Sequence, residues 1–254
     1  LFVDDVVQRH YKSLWAGLQA QARSDEVDVA LLGVTSPRRG DGASTVAVQL
    51  AVAAARSNVG SVLLVDADLT RPSLQRVFKL PAQPGFSDVL RRTSANRKSV
   101  IHKAAREKSN GQKMVATHNG ALHDGAHPNG NHSGLAKAQL YPTPLLNLHV
   151  LTAGALNGER SLVEYNASLA DSVREVSAGF DLVIFDMPPV DEISFALRLA
   201  GLMDAVLLVI ESDRTPPSSA KRTTELLHRA GARLLGVVLN NQPAHMSAGP
   251  RSEF

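Results

Sequence analysis

The chain reads as an α/β domain with a doubly wound, mainly parallel sheet. Three observations predict this. Short, almost wholly apolar runs of strand length alternate with helical stretches. The first run opens into a glycine-containing turn and an alanine-rich helix, and two later runs end in aspartate. Apolar runs without polar alternation belong to strands buried on both faces, which a parallel sheet with helices on either side requires.

Phe2 to Ala22 reads as an amphipathic helix, with Val6, Tyr11, Leu14, Leu18 and Ala22 near helical spacing. VDVALLGVT, Val27 to Thr35, is the first buried strand. The turn SPRRGDGAST follows and opens a helix from Ser44 to about Asn58. SVLLVDAD is the second strand and ends at Asp66 and Asp68. NLHVLTAG is a further strand over Leu148–Ala153, and DLVIFD one that ends at Asp186. DAVLLVIE and LLGVVLN supply the last two strands, the latter ending at Asn240. Helices are expected over Leu162–Ser177, Ile193–Leu202 and Ser218–Ala230. One domain over 1–254 accommodates all of this. From Arg91 to Leu145 apolar periodicity dissolves, and residues 103–139 read as a largely mobile insertion. Residues 241–254 read as a tail.

Composition narrows the function classes. Of 254 residues, 44% are hydrophobic and 20% charged, which excludes disorder throughout. There is no cysteine, so disulfides, thiolate metal sites and cysteine nucleophiles are excluded. A net charge of +3 is too small a surplus to argue for nucleic acid, and no nucleic-acid partner is expected. No run of 18 apolar residues suggests a membrane span. His123 and His127 have metal-ligand spacing, but Gly125 and Pro128 argue against the helix that would align them.

The chemistry is expected at the first turn. Backbone N–H groups of a glycine turn at a helix N-terminus cradle phosphate, because unpaired donors and the helix dipole both favour anions there. A hydroxyl at the helix start and a strand-end carboxylate then hold magnesium. The candidate nucleotide-binding residues are Arg38, Arg39, Gly40, Asp41, Gly42, Ala43, Ser44 and Thr45. The candidate metal ligands are Ser44, Asp66, Asp68 and Asp186. The turn alone fits an ordinary strand-to-helix connection equally well; the two aspartate strand ends, in order, favour the nucleotide site.

With these residues in view, the chain resembles the bacterial tyrosine kinases of capsule and exopolysaccharide systems, a P-loop family of the deviant Walker A class. VTSPRRGDGASTVAVQLA is similar to the family's VTSxxPGEGKSTxxxNLA, and VLLVDADLTRP to LLIDADLRRP. GFSDVL, FDLVIFDMPPV and LLGVVLN match family segments in family order. The chain also departs from the pattern. Ala43 stands where the family has its P-loop lysine. Arg38 falls where partition ATPases carry an extra lysine. RHYKSLW places Arg9, Lys12 and Trp15 on the family's ring-forming motif, so a homo-oligomer stays open with its ring contact altered. Trp15 reads as a core anchor. NNQPAHMSAGPRSEF contains no tyrosine, where the family clusters its phosphorylation sites.

The resemblance implies a degenerate kinase-like cytoplasmic subunit, peripheral at the inner face of the bacterial inner membrane. It would regulate polysaccharide synthesis or export through the cytoplasmic segment of a membrane polysaccharide co-polymerase. Binding of ATP or ADP with Mg2+ is expected to be weak or absent, and turnover negligible. Two alternatives stay open: an active tyrosine autokinase using Arg38 or Arg39 in place of the lysine, and a partition-type ATPase.

Overall fold

The computed structural model describes residues 5–57, 59–95, 140–155, 168–192 and 194–241. All described strands join one seven-stranded sheet. In chain order the elements are α1 (Asp5–Ser24), β1 (Leu31–Thr35), α2 (Ala43–Ala55), β2 (Val62–Asp66) and α3 (Leu74–Val77). A helix over 86–95, α4, comes next. Then follow β3 (Tyr141–Pro142), β4 (Leu148–Leu151), α5 (Leu169–Ser177), β5 (Leu182–Asp186), α6 (Ser194–Ala200), β6 (Ala205–Glu211), α7 (Pro217–Arg229) and β7 (Leu234–Asn240). Strand order is β3-β4-β2-β5-β1-β6-β7. Only the β3–β4 pairing is antiparallel among the described strands.

The continuous apolar runs are explained by two cores, one on each face. Along β2, Val62 and Leu64 point to the face covered by α2, while Leu63 and Val65 point to the other. The first core is built largely from the alanines and valines of α2, whose small side chains let it lie close to the sheet. α1 packs over α2, so α2 is buried on nearly every side, and Trp15 joins this core at 5% exposure. The second core holds Phe86, Val89 and Leu90 of α4, Val173 and Val176 of α5, and Phe195 and Leu199 of α6. Phe86 meets Phe185 edge to face at 6.0 Å.

The doubly wound parallel sheet is as the sequence predicts, but several boundaries differ for identifiable reasons. β1 starts at Leu31 rather than Val27. The carboxylate of Asp204 accepts the N–H groups of Ala30 at 3.0 Å and Leu31 at 2.7 Å, which closes the strand's entrance. β4 stops at Leu151 because the carbonyls of Thr152 and Ala153 accept the first N–H groups of α4, at 2.7 and 2.8 Å. Both α4 and the edge strand β3 go beyond the sequence reading. α4 was legible: Phe86, Val89, Leu90 and Thr93 recur at helical spacing. α3, of four residues, is too short to show periodicity. Insertion 103–139, most of the tail, and the first part of the helix expected from Leu162 lie outside the described residues.

Candidate functional site

The turn between β1 and α2 has the backbone that phosphate cradles need. Gly40 and Gly42 sit at φ +93° and +97°, in the left-handed region that β-carbon-bearing residues avoid. Gly42 is the N-cap of α2 and, as a glycine, offers no capping side chain to the first N–H groups of the helix. A Cβ on Gly42 would meet the Asn240 side chain at 2.0 Å. That side chain, at the end of β7, donates to the Asp41 carbonyl at 3.1 Å and so fixes the turn from behind. Asp41 is itself buried and accepts the Arg38 N–H at 3.2 Å. Burial raises its carboxyl above the ordinary range despite that bond.

β2 and β5 pair in parallel register with Asp66 opposite Asp186, so the two carboxylates end side by side beneath the turn. Their surroundings differ. Both oxygens of Asp66 are occupied: Oδ1 accepts the Asp68 N–H at 3.2 Å, and Oδ2 those of Ser73 at 2.8 Å and Leu74 at 2.9 Å. Asp68 Oδ1 accepts the Thr70 hydroxyl at 2.7 Å and the Arg71 N–H at 3.0 Å, and its Oδ2 takes Arg39 at 2.5 Å. Asp186 is 1% exposed; Ser73 donates to its Oδ2 at 3.2 Å, and its Oδ1 has no partner among the described residues. The Ser44 hydroxyl lies against it and favours its ionised form. Burial pushes Asp66 up to about 6, and burial with the adjacent Asp66 charge raises Asp186 well above the carboxylate range. Asp68 goes the other way: burial alone would raise it, but Arg39, Thr70 and the Arg71 N–H together hold it low.

A cavity of about 370 Å³ opens in front of the turn. Arg39, Gly40, Gly42, Ala43, Ser44 and Thr45 line it, together with Asp68, Arg71 and Arg76 of the loop after β2. Six of the eight residues expected to bind nucleotide therefore line it. Arg38 and Asp41 do not: the Arg38 side chain is exposed, and Asp41 is buried behind the turn. The two arginines of the turn are thus distinct. Arg39 reaches across and binds Asp68 and Glu192, each at 2.5 Å, and the Thr70 hydroxyl at 2.9 Å.

The expected metal set is also divided. Among the described residues no three histidine, aspartate or glutamate side chains converge as ligands. The expectation that Asp66 and Asp68 bind metal meets carboxylates already filled by N–H, hydroxyl and guanidinium donors. Ser44 and Asp186 retain the means to hold a cation: an orphaned buried carboxylate oxygen fits Mg2+, which takes few protein ligands and completes its shell with phosphate and water. Arg71, Arg76, Glu192 and Asn240 were not singled out from sequence. Arg71 stood within DADLTRP and Asn240 closed LLGVVLN, so their motifs were visible without a role.

The fold and this turn define a P-loop, nucleotide-binding type of domain. CapB of Staphylococcus aureus is 23% identical over 245 residues, 96% of this chain and 90% of that protein. The tyrosine-protein kinase YwqD of Bacillus subtilis is 28% identical over 209 residues, 82% of this chain and 71% of YwqD. Among solved structures, the chimerical protein CapA2B2 superposes with a TM-score of 0.63 at 25% identity, over 90% of this chain and 84% of that one. No family model matches the chain. In sequence and in fold, the chain is similar to these bacterial tyrosine-protein kinases. No helix among the described residues is long and apolar enough to cross a membrane.

Proposed function

We propose that this chain is a kinase-derived nucleotide-binding subunit with little or no turnover. It regulates polysaccharide synthesis or export from the inner face of the membrane, by contact with the cytoplasmic segment of a membrane polysaccharide co-polymerase. The observation that carries this is Ala43. The phosphate-cradling backbone of Gly40–Thr45 is intact, but the first residue of α2 is a nearly buried methyl group where the family has its lysine. That lysine neutralises charge on the transferring phosphoryl group, and losing a preorganised contact of this kind costs roughly a hundredfold or more in rate. Ser44 and Asp186 remain to hold Mg2+, whose role would be to bridge and neutralise the phosphate oxygens.

One observation favours the active-kinase alternative: Arg39 lines the cavity. Against it, the Arg39 charge is already matched by Asp68 and Glu192, and transfer would need those pairs broken. Calorimetry with MgADP and MgATP, beside an ATPase assay, separates the readings. We expect weak binding and negligible hydrolysis. Ala43→Lys should tighten nucleotide binding about tenfold or more, as a charge-assisted phosphate contact does. Hydrolysis at a rate typical of kinases, about 1 per second or faster, abolished by Arg39→Ala, would establish the alternative instead.

A further inference from the structure

Five arginines surround the phosphate turn, and their surroundings sort them. Arg38 points to solvent away from the cavity. Arg39 is held between Asp68 and Glu192. Arg214 packs its guanidinium 3.1 Å from where a Cβ of Gly40 would lie, but pairs with Glu211 at 2.8 Å. Arg71 and Arg76 differ from all three. Both are exposed like Arg38, but unlike it they line the same cavity as Gly40 and Gly42–Thr45. The Arg71 guanidinium has no ion-pair or hydrogen-bond partner among the described residues, and that of Arg76 donates only to the carbonyl of Pro72, at 3.3 Å. Two cations without a carboxylate partner among the described residues, in one cavity with the N-terminus of α2, suit an extended anion with several charged oxygens.

From this arrangement we infer that Arg71 and Arg76 supply the positive charge that Ala43 withdraws, binding the phosphate chain of a nucleoside di- or triphosphate in the cavity they share with the P-loop. The inference rests on the nucleotide reading above and assigns its charge partners. The loop that carries them is well fixed for the task. Asp68 accepts the Thr70 and Arg71 N–H groups, and Asp66 those of Ser73 and Leu74, so the backbone between the two arginines is pinned to the end of β2. Behind the cavity, the buried carboxylate of Asp186 neighbours Ser44 of the lining and keeps its Oδ1 without a partner among the described residues, an independent sign of a missing ligand. A guanidinium is also suited to this cavity: its planar fork can take two phosphate oxygens at once, whereas an ammonium acts as a point charge. Cations placed here bind the ground-state phosphate chain without reaching the helix-start position of the lost lysine, so affinity and turnover separate.

The test is calorimetric titration of the whole chain with MgADP, and separately with magnesium pyrophosphate, which shares the phosphate chain and lacks the nucleoside. The panel is the unmodified protein, Arg71→Ala, Arg76→Ala, the double variant, and Arg229→Ala on the far end of α7 as a charge control. Thermal melts check that each variant is folded. Arg71→Ala and Arg76→Ala should each weaken both ligands about tenfold, in keeping with a charge-assisted hydrogen bond, with Arg229→Ala unchanged. In an Ala43→Lys background the same substitutions should cost less, because the lysine then shares the neutralisation. If the unmodified chain binds MgADP and neither arginine variant weakens it, the assignment is wrong while the nucleotide reading stands. If the unmodified chain and Ala43→Lys both fail to bind either probe, the nucleotide reading itself is wrong and this inference falls with it.

Discussion

Asp66 and Asp186 stand side by side at the ends of neighbouring parallel strands, and both were read from sequence as metal ligands. Asp66 turns inward to the protein: three backbone N–H groups of the following loop converge on its two oxygens. Asp186 turns toward the P-loop, with one oxygen unmatched and Ser44 against it. One carboxylate pins the loop that bears Arg71 and Arg76; the other keeps an oxygen without a partner among the described residues. A motif names the residue type at a strand end, but the loop that follows decides which work the carboxylate does.

This contrast can be broken most directly by truncation. Asp66→Ala should destabilise the fold by about 3 kcal/mol, since it strands buried N–H groups that only the carboxylate reaches. Asp186→Asn should leave the melting temperature at neutral pH unchanged or raised, because it removes a buried charge beside a like charge, and it should abolish any stabilisation by Mg2+ with ADP. Equal losses from the two substitutions, measured by thermal melts, would erase the distinction.

A smaller effect is expected from pH. Asp66 titrates near 6 in the fold, against about 3.9 in an unfolded chain, so the folded state binds more protons between those values. Its contribution to stability is fully present below the unfolded value and is lost as pH rises through about 6. Asp186, raised by burial and by Asp66, acts in the same sense. Asp68 is lowered and acts oppositely, but only below the ordinary carboxylate range. The metal-free protein should therefore gain stability as pH falls from about 7.5 to about 5, and Asp186→Asn should flatten that rise. A melting temperature that falls steadily over the same interval would contradict the buried-pair description.

The smallest effect concerns Arg39. Its pairs with Asp68 and Glu192 are partly solvated, so Arg39→Ala should cost no more than about 1 kcal/mol. It should raise the Asp68 carboxyl toward its ordinary value, observable by carboxyl NMR titration. A loss of several kcal/mol would mean that the bridge, rather than the backbone bonds to Asp66, holds the two loops together.

Much of this was legible in the chain itself. The buried parallel strands follow from unbroken apolar runs such as LLGVT and VLLVD, since such runs have no polar face to give to water. The tight turn after β1 follows from two glycines in a strand-to-helix connection, and both do adopt positive φ. The helix α4 is legible too, in the spacing of Phe86, Val89 and Leu90.

What the sequence determined by itself was local and periodic: which segments could be strands, where the chain had to turn, and which side chains stood at strand ends. The roles of those side chains were decided only when distant segments met. Arg38 and Arg39 are adjacent in the chain, yet one is exposed and the other is held by Asp68 and Glu192, 29 and 153 residues away. Arg71 and Arg76 share a cavity with Gly40 and Gly42–Thr45 only because β2 and β1 flank β5 and carry their loops to the same end of the sheet. Charge matching acts through space, so no reading along the chain could say which arginine would be neutralised by a distant carboxylate and which would not.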